Sequence, residues 1–223
     1  MRLVVVASVF LLFGLGSYLA LTWGRGAAPS GNSARGGTEG SVVRARTTSA
    51  GGATPIAVTS SVAPYAVTGD TERAIFESLL EGGPVDGDRR FFGMTESDMG
   101  LQYRTVEAEA GCFLVDVRAT LDVVTTLPEW SRPSGTDYAV QRDWHRFRSA
   151  LERHEAEHKS IAVHGVQKVY RAVGGLRRPT CAEAEAEARR RLDRIGIEIE
   201  ASHRRYDDQT GHGQTEGAAW PPR

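Results

Sequence analysis

Apolar residues along this chain change their period several times, and each change marks an element. Leu3 to Trp23 is almost unbroken apolar sequence behind Arg2. At about 20 residues the run is long enough to cross a bilayer and longer than the core of a typical signal peptide. Residues 1–23 therefore read as an export segment, a signal peptide or a retained membrane anchor. Residues 24–54 are dominated by Gly, Ser, Ala and Thr. They carry too little apolar surface to offset the entropy of ordering, which makes them a flexible linker.

Beyond the linker, Pro55 to Val67 reads as extended, with Ile56, Val58, Val62, Tyr65 and Val67 as inward candidates. Asp70 can cap a short helix through Leu80, stopped by Gly82-Gly83-Pro84. A polar loop follows to about Asp98. From Cys112 to Thr126 the period is two: Phe113, Val115, Val117, Ala119, Leu121 and Val123 alternate with polar positions, the mark of a half-buried strand. Met99 to Glu109 is its expected antiparallel partner through Ala110-Gly111, and Pro128 its expected end.

The period then becomes helical. Trp144, Phe147, Leu151, His154, His158, Ile161 and Val169 recur at spacings of three, four or their multiples, predicting a helix from about Asp137 to Val173 that stops at Gly174-Gly175. A second helix is expected from Cys181 to Tyr206, with Thr180 and Glu183 as a capping box. The tail from Asp207 shows no periodicity, and residues 216–223 read as disordered. The fold expected for residues 55–215 is α+β, a small antiparallel sheet packed on a long helix and a second C-terminal helix.

Composition narrows the partners. The net charge is −1, and Arg189-Arg190-Arg191 lies in a Glu-rich stretch. A solvated helix face explains that run better than a nucleic-acid track. The two cysteines, Cys112 and Cys181, form an even count, which in an exported chain favours a disulfide over two buried thiols. Such a bridge would close a loop of about 70 residues, worth roughly 4 kcal/mol on the chain-entropy model.

The chemistry is concentrated in His154-Glu155-Ala156-Glu157-His158. Histidines four apart on a helix share one face, so both imidazoles reach one ion. Glu155 projects beside that ion as general base and acid, as in the H-E-x-x-H motif of zinc metallopeptidases. The pair continues the stripe begun by Trp144, Phe147 and Leu151, so it faces inward, where polar groups need partners. A catalytic zinc has three protein ligands and an open position. His203, Glu198, Glu200, Asp207, Asp208 and His212 are the candidates for the third. His164 lies about 600° round the helix from His158 and points away. His212 sits between Gly211 and Gly213, which let the backbone come close to a buried ion.

These residues carry a resemblance. Leu127-Pro128-Glu129-Trp130, the helix from Trp144 to His158, and Tyr206-Asp207-Asp208-Gln209-Thr210-Gly211-His212-Gly213, which fits Y-D-x-x-T-x-H-G, resemble a bacterial family of predicted secreted zinc-dependent proteases catalogued as a domain of unknown function. The likeness covers about residues 55–215, and both cysteines sit where that family has its pair. It implies a zincin-like fold, Zn2+ as cofactor, His212 as third ligand, and a domain outside the cytoplasm, secreted, periplasmic or membrane-anchored. Asp207 is the alternative ligand, or an acceptor for an imidazole N–H. Tyr206 is implied either as a donor to the developing oxyanion or as packing. The expected function is a metallopeptidase acting on a peptide or protein substrate. The alternatives are an envelope-anchored binding or scaffold protein with a structural zinc, and a zinc amidase acting on a non-protein substrate. No nucleic-acid partner is expected, and the membrane is reached only through an uncleaved N-terminal segment.

Overall fold

The computed structural model describes residues 9–13 and 55–222. The export segment, apart from 9–13, and the linker lie outside the described residues. In chain order the elements are β1 (Val9–Phe13), β2 (Ile56–Val67), α1 (Glu72–Gly82), β3 (Val85–Asp86), β4 (Arg89–Arg90), β5 (Met94–Ala108), β6 (Gly111–Trp130), α2 (Tyr138–Val173), β7 (Arg177–Arg178) and α3 (Cys181–Thr210). A short 3-10 turn, Gln214–Glu216, follows. The fold is α+β.

Both long helices start where their caps dictate. The Asp137 carboxylate accepts from the Ala139 N–H at 2.7 Å, and Thr180 and Glu183 form the reciprocal capping box. In α1 the cap is Thr71, one residue later than expected. The segment expected as a polar loop instead holds the β3–β4 hairpin and the first residues of β5.

The sheet runs β1-β5-β6-β2, with β7 beside the start of β6. It is mixed: β2 pairs parallel to β6, whereas the other pairs are antiparallel. A period of two is the same for both pairings, so sequence alternation does not reveal direction. On the β2 edge the inward face is Ser61, Ala63, Tyr65 and Val67; Val58 and Val62, expected inside, are exposed. In β6 the alternation changes phase. Cys112 and Leu114 are buried at one end, and Ala119, Leu121 and Val123 at the other. Between them the pairing slips at Gln102/Arg104, and Asp116 adopts φ 51°. This β-bulge turns Phe113 and Val115 away from full burial. Pro128 does not end β6. The Pro128 carbonyl accepts from Arg148 at 3.0 Å, on the edge that β5 has already left, so the missing N–H breaks no ladder bond.

Two apolar clusters flank the middle of α2. One joins the sheet residues Met99, Leu101, Leu121 and Val123 to Val166, Val169 and the α3 stripe of Leu192, Ile195 and Ile199. The other joins Trp144, Phe147 and Leu151 to α1 and to Trp220. At Gly165 helix α2 lies directly against α3, and a Cβ there would lie 2.4 Å from Ile199 Cδ1. A disulfide, Cys112–Cys181, ties β6 to the start of α3. It points to an oxidising, extracytoplasmic compartment. No helix among the described residues is long and apolar enough to cross a membrane.

The tail departs from expectation. Helix α3 continues past Tyr206 to Thr210, capped by Gly211 in the left-handed conformation. The segment expected to be disordered folds back onto α2. Ala218 and Trp220 are buried, the Trp220 indole packs on Trp144 and Phe147, and its N–H donates to the Glu72 carbonyl at 2.8 Å. Aperiodic sequence hid this because the anchor is one aromatic side chain and not a repeating stripe. Trp220→Ala should cost about 3–5 kcal/mol in chemical denaturation. A loss within about 0.5 kcal/mol, the usual range for surface changes, would mean the tail is not part of the core.

Candidate metal centre

His154, Glu155 and His158 lie on α2 between the two apolar clusters, and each is at most 5% exposed. Asp207 comes in from the last turn of α3 and is 3% exposed. His154 Nε2 and His158 Nε2 are 3.3 Å apart. Asp207 Oδ1 lies 3.2 Å from the first and 3.0 Å from the second. Donors bonded to one tetrahedral ion at 2.0–2.1 Å stand about 3.3 Å apart. The triangle therefore has the dimensions of three ligands of one metal ion. Asp207 Oδ2 is buried with no hydrogen-bond partner among the described residues, an orphan that a cation or its water would satisfy. His154, His158 and Asp207 form a group that could hold a metal ion.

The imidazoles and the carboxylate stabilise one another's charged forms. Burial alone would raise the Asp207 carboxyl, but its contacts with His154 and His158 outweigh that and hold it well below the usual carboxylate range. Burial disfavours the charged form of His154, yet Asp207 and Glu216 outweigh it and raise the group. In each case the ring and the carboxylate supply opposite charge in a site that water barely reaches.

The outward nitrogen of each imidazole is also occupied. His154 Nδ1 lies 3.1 Å from Glu216 Oε2, and the Tyr206 hydroxyl donates to the same carboxylate at 2.9 Å. His158 Nδ1 lies 2.8 Å from His203 Nδ1. If Nε2 of each ring faces an ion, Nδ1 carries the proton and donates, to Glu216 and to His203. His203 must then be neutral. Burial first, and His158 second, push it down to about 4.

Glu155 stands apart from the triangle. Thr95 Oγ1 on β5 donates to Glu155 Oε2 at 2.8 Å. Burial pushes the carboxyl up, and the Thr95 bond opposes it. The chain enters β5 through Gly93, where a Cβ would lie 2.8 Å from Glu155 Oε1. A larger residue there would push on the Glu155 carboxylate and on Leu151.

Of the two expected third ligands, Asp207 lies in the triangle and His212 beside it. His212 Nδ1 is 3.5 Å from Asp207 Oδ1, its Nε2 is 3.1 Å from Arg89, and its side chain is one-third exposed. The flanking glycines act as expected in one respect. At Gly213 (φ 81°) a Cβ would lie 2.9 Å from the His154 ring, so the tail packs directly on that imidazole. Tyr206 stacks on His154 with centroids 4.8 Å apart, and its hydroxyl is committed to Glu216. Among the other candidates, His203 supports His158, His164 and Asp208 are exposed, and Glu198 and Glu200 pair with Lys168 and Arg204.

Glu216, His203 as a supporting group and Thr95 were not foreseen. One sequence signal existed for Asp207. Ile199, His203, Asp207 and Thr210 continue the buried α3 stripe at spacings of four, four and three. No local pattern marks Thr95 or Glu216, since sheet pairing and tail folding bring them in. The centre opens into a cleft of about 1560 Å³, lined by α2, the β4–β5 segment, the end of α3 and the tail.

The profile of one family, "Bacterial protein of unknown function (DUF922)", matches residues 62–213, about two thirds of the chain. The chain belongs to that family. No curated protein and no solved structure matches it. In zinc titration against a competing chelator, Asp207→Ala should lose stoichiometric binding while His212→Ala keeps it. Glu216→Gln should weaken binding about 10- to 100-fold. The reverse ranking of Asp207 and His212 would overturn the ligand set.

Proposed function

We propose that this member of the DUF922 family is an extracytoplasmic zinc-dependent peptidase, with His154, His158 and Asp207 as ligands and Glu155 as general base and acid. The observation that supports this most is the 3.0–3.3 Å ligand triangle at the floor of an open cleft, with a buried carboxylate next to it on the same helix. Zinc bound there would supply Lewis acidity toward a scissile carbonyl and the attacking water. Glu155 would be the residue that accepts a proton from the attacking water and donates it to the leaving amine. Burial raises its carboxyl, and Thr95 fixes the carboxylate so that one oxygen is held and the other faces Gly93. Tyr206 acts through Glu216, which orients His154. The Cys112–Cys181 bridge supports the extracytoplasmic placement, whereas Val9–Phe13 of the apolar run expected to export or anchor the domain pairs with β5 as β1.

A second reading has one observation in its favour. His212 Nδ1 is 3.5 Å from Asp207 Oδ1, so a small shift of the tail would add a fourth protein ligand and close the sphere. A closed four-ligand site is structural. The two readings separate on Glu155→Gln. For a peptidase, this variant retains stoichiometric zinc and loses hydrolysis of a mixed peptide library by at least about 100-fold, within the range of general acid–base catalysis. Hydrolysis at the wild-type rate in that variant would sink the mechanism.

A further inference from the structure

The charge of the cleft wall points to its substrate. Six arginines line it, including Arg89, Arg146, Arg153 and Arg204. The carboxylates that line it are all engaged. Glu155 is held by Thr95, Asp207 by the two imidazoles, Glu216 by Tyr206 and His154, and Glu200 lies 3.7 Å from Arg204. Arg146 and Arg153 are exposed and make no hydrogen bond, ion pair or ring contact among the described residues. Among the described residues Arg89 meets only His212 and the Phe91 ring. Of the other cleft arginines, Arg142 pairs with Asp143; away from the cleft, Arg73, Arg104 and Arg190 have acidic partners, while Arg118, Arg171, Arg194 and Arg205 have none among the described residues. A chain of net charge −1 thus keeps unpaired positive charge beside its candidate centre.

We infer that the cleft binds an acidic peptide, whose carboxylate side chains are received by Arg146 and Arg153 on α2. This rests on the peptidase reading and names its substrate class. The two arginines are seven residues apart, two helical turns or about 10 Å, and Arg153 directly precedes His154. An extended chain advances about 3.3 Å per residue, so acidic side chains two to four residues apart span that distance. Arginine is suited to the task, because its planar fork takes a carboxylate in two parallel hydrogen bonds. The same cleft carries Phe76, Phe91 and Phe92. That apolar surface suits a peptide with mixed side chains and offers nothing to a uniform polyanion.

The test uses the full-length, zinc-loaded Glu155→Gln protein and three fluorescein-labelled peptides of equal length, repeats of Glu-Ala-Leu, Gln-Ala-Leu and Lys-Ala-Leu. Fluorescence anisotropy should show the Glu peptide binding about tenfold more tightly than the Gln peptide, and the Lys peptide weakest. The preference should shrink at about 0.5 M salt. It should disappear in Arg146→Gln/Arg153→Gln and survive in Arg146→Lys/Arg153→Lys. Equal binding of the three peptides, or a preference that persists in the Gln double variant, overturns the inference. Tighter binding of single-stranded DNA or a sulfated polysaccharide than of the Glu peptide overturns the assignment to peptide. Digestion by the unmodified protein separates the two levels. Cleavage of all three peptides at equal rates defeats the acidic preference and leaves the peptidase reading intact. Binding of the Glu peptide without cleavage of any peptide defeats the peptidase reading and leaves acidic recognition intact.

Discussion

Everything at this site depends on the burial of three polar atoms against one another: Nε2 of His154, Nε2 of His158 and Oδ1 of Asp207. A carboxylate and two imidazoles removed from water are costly unless they satisfy each other or share a cation. Two of the three belong to α2 and one to α3, so the triangle exists only if the two helices hold their relative position. Gly165 lets them touch at Ile199, and the sheet packs on both. The Cys112–Cys181 bridge ties α3 to β6. The polar centre sits between two apolar clusters on α2, neither of which can shift without moving a ligand.

Around that triangle the outward nitrogen of each imidazole and the Glu155 carboxylate have partners from three different segments, while Asp207 Oδ2 has none among the described residues. Glu216 comes from the tail, His203 from α3 and Thr95 from β5. This arrangement explains why the tail is folded. Trp220 holds the segment against Trp144 and Phe147, which keeps Glu216 on His154 and lets Gly213 pack on the same ring. The aromatic anchor therefore serves the imidazole as much as the core. The cleft wall has the opposite character, since two of its arginines, Arg146 and Arg153, have no acidic partner among the described residues.

Much of this was legible in the chain. The helices α2 and α3, their caps at Asp137 and Thr180, and the inward direction of His154 and His158 follow from 3.6-residue periodicity and capping chemistry. The parallel pairing of β2 was not, because alternation carries no direction. The bulge at Asp116 was also hidden, since an extra residue in one strand leaves no compositional mark. The third ligand was half legible. A sequence motif favoured His212, but helical spacing from His203 puts Asp207 on the buried face, and the helix runs one turn further than its apolar residues suggest. Glu216 and Thr95 reach the site by tertiary folding alone.

The central claim is that two imidazoles and one carboxylate share a metal ion and leave a position open. X-ray absorption at the zinc edge of the zinc-loaded full-length chain tests it most directly. Two imidazole nitrogens and one carboxylate oxygen from the protein are expected at about 2.0–2.1 Å, with a fourth light-atom ligand that a small anion displaces. Four protein ligands with no exchangeable position would contradict it, as would a sulfur neighbour at about 2.3 Å.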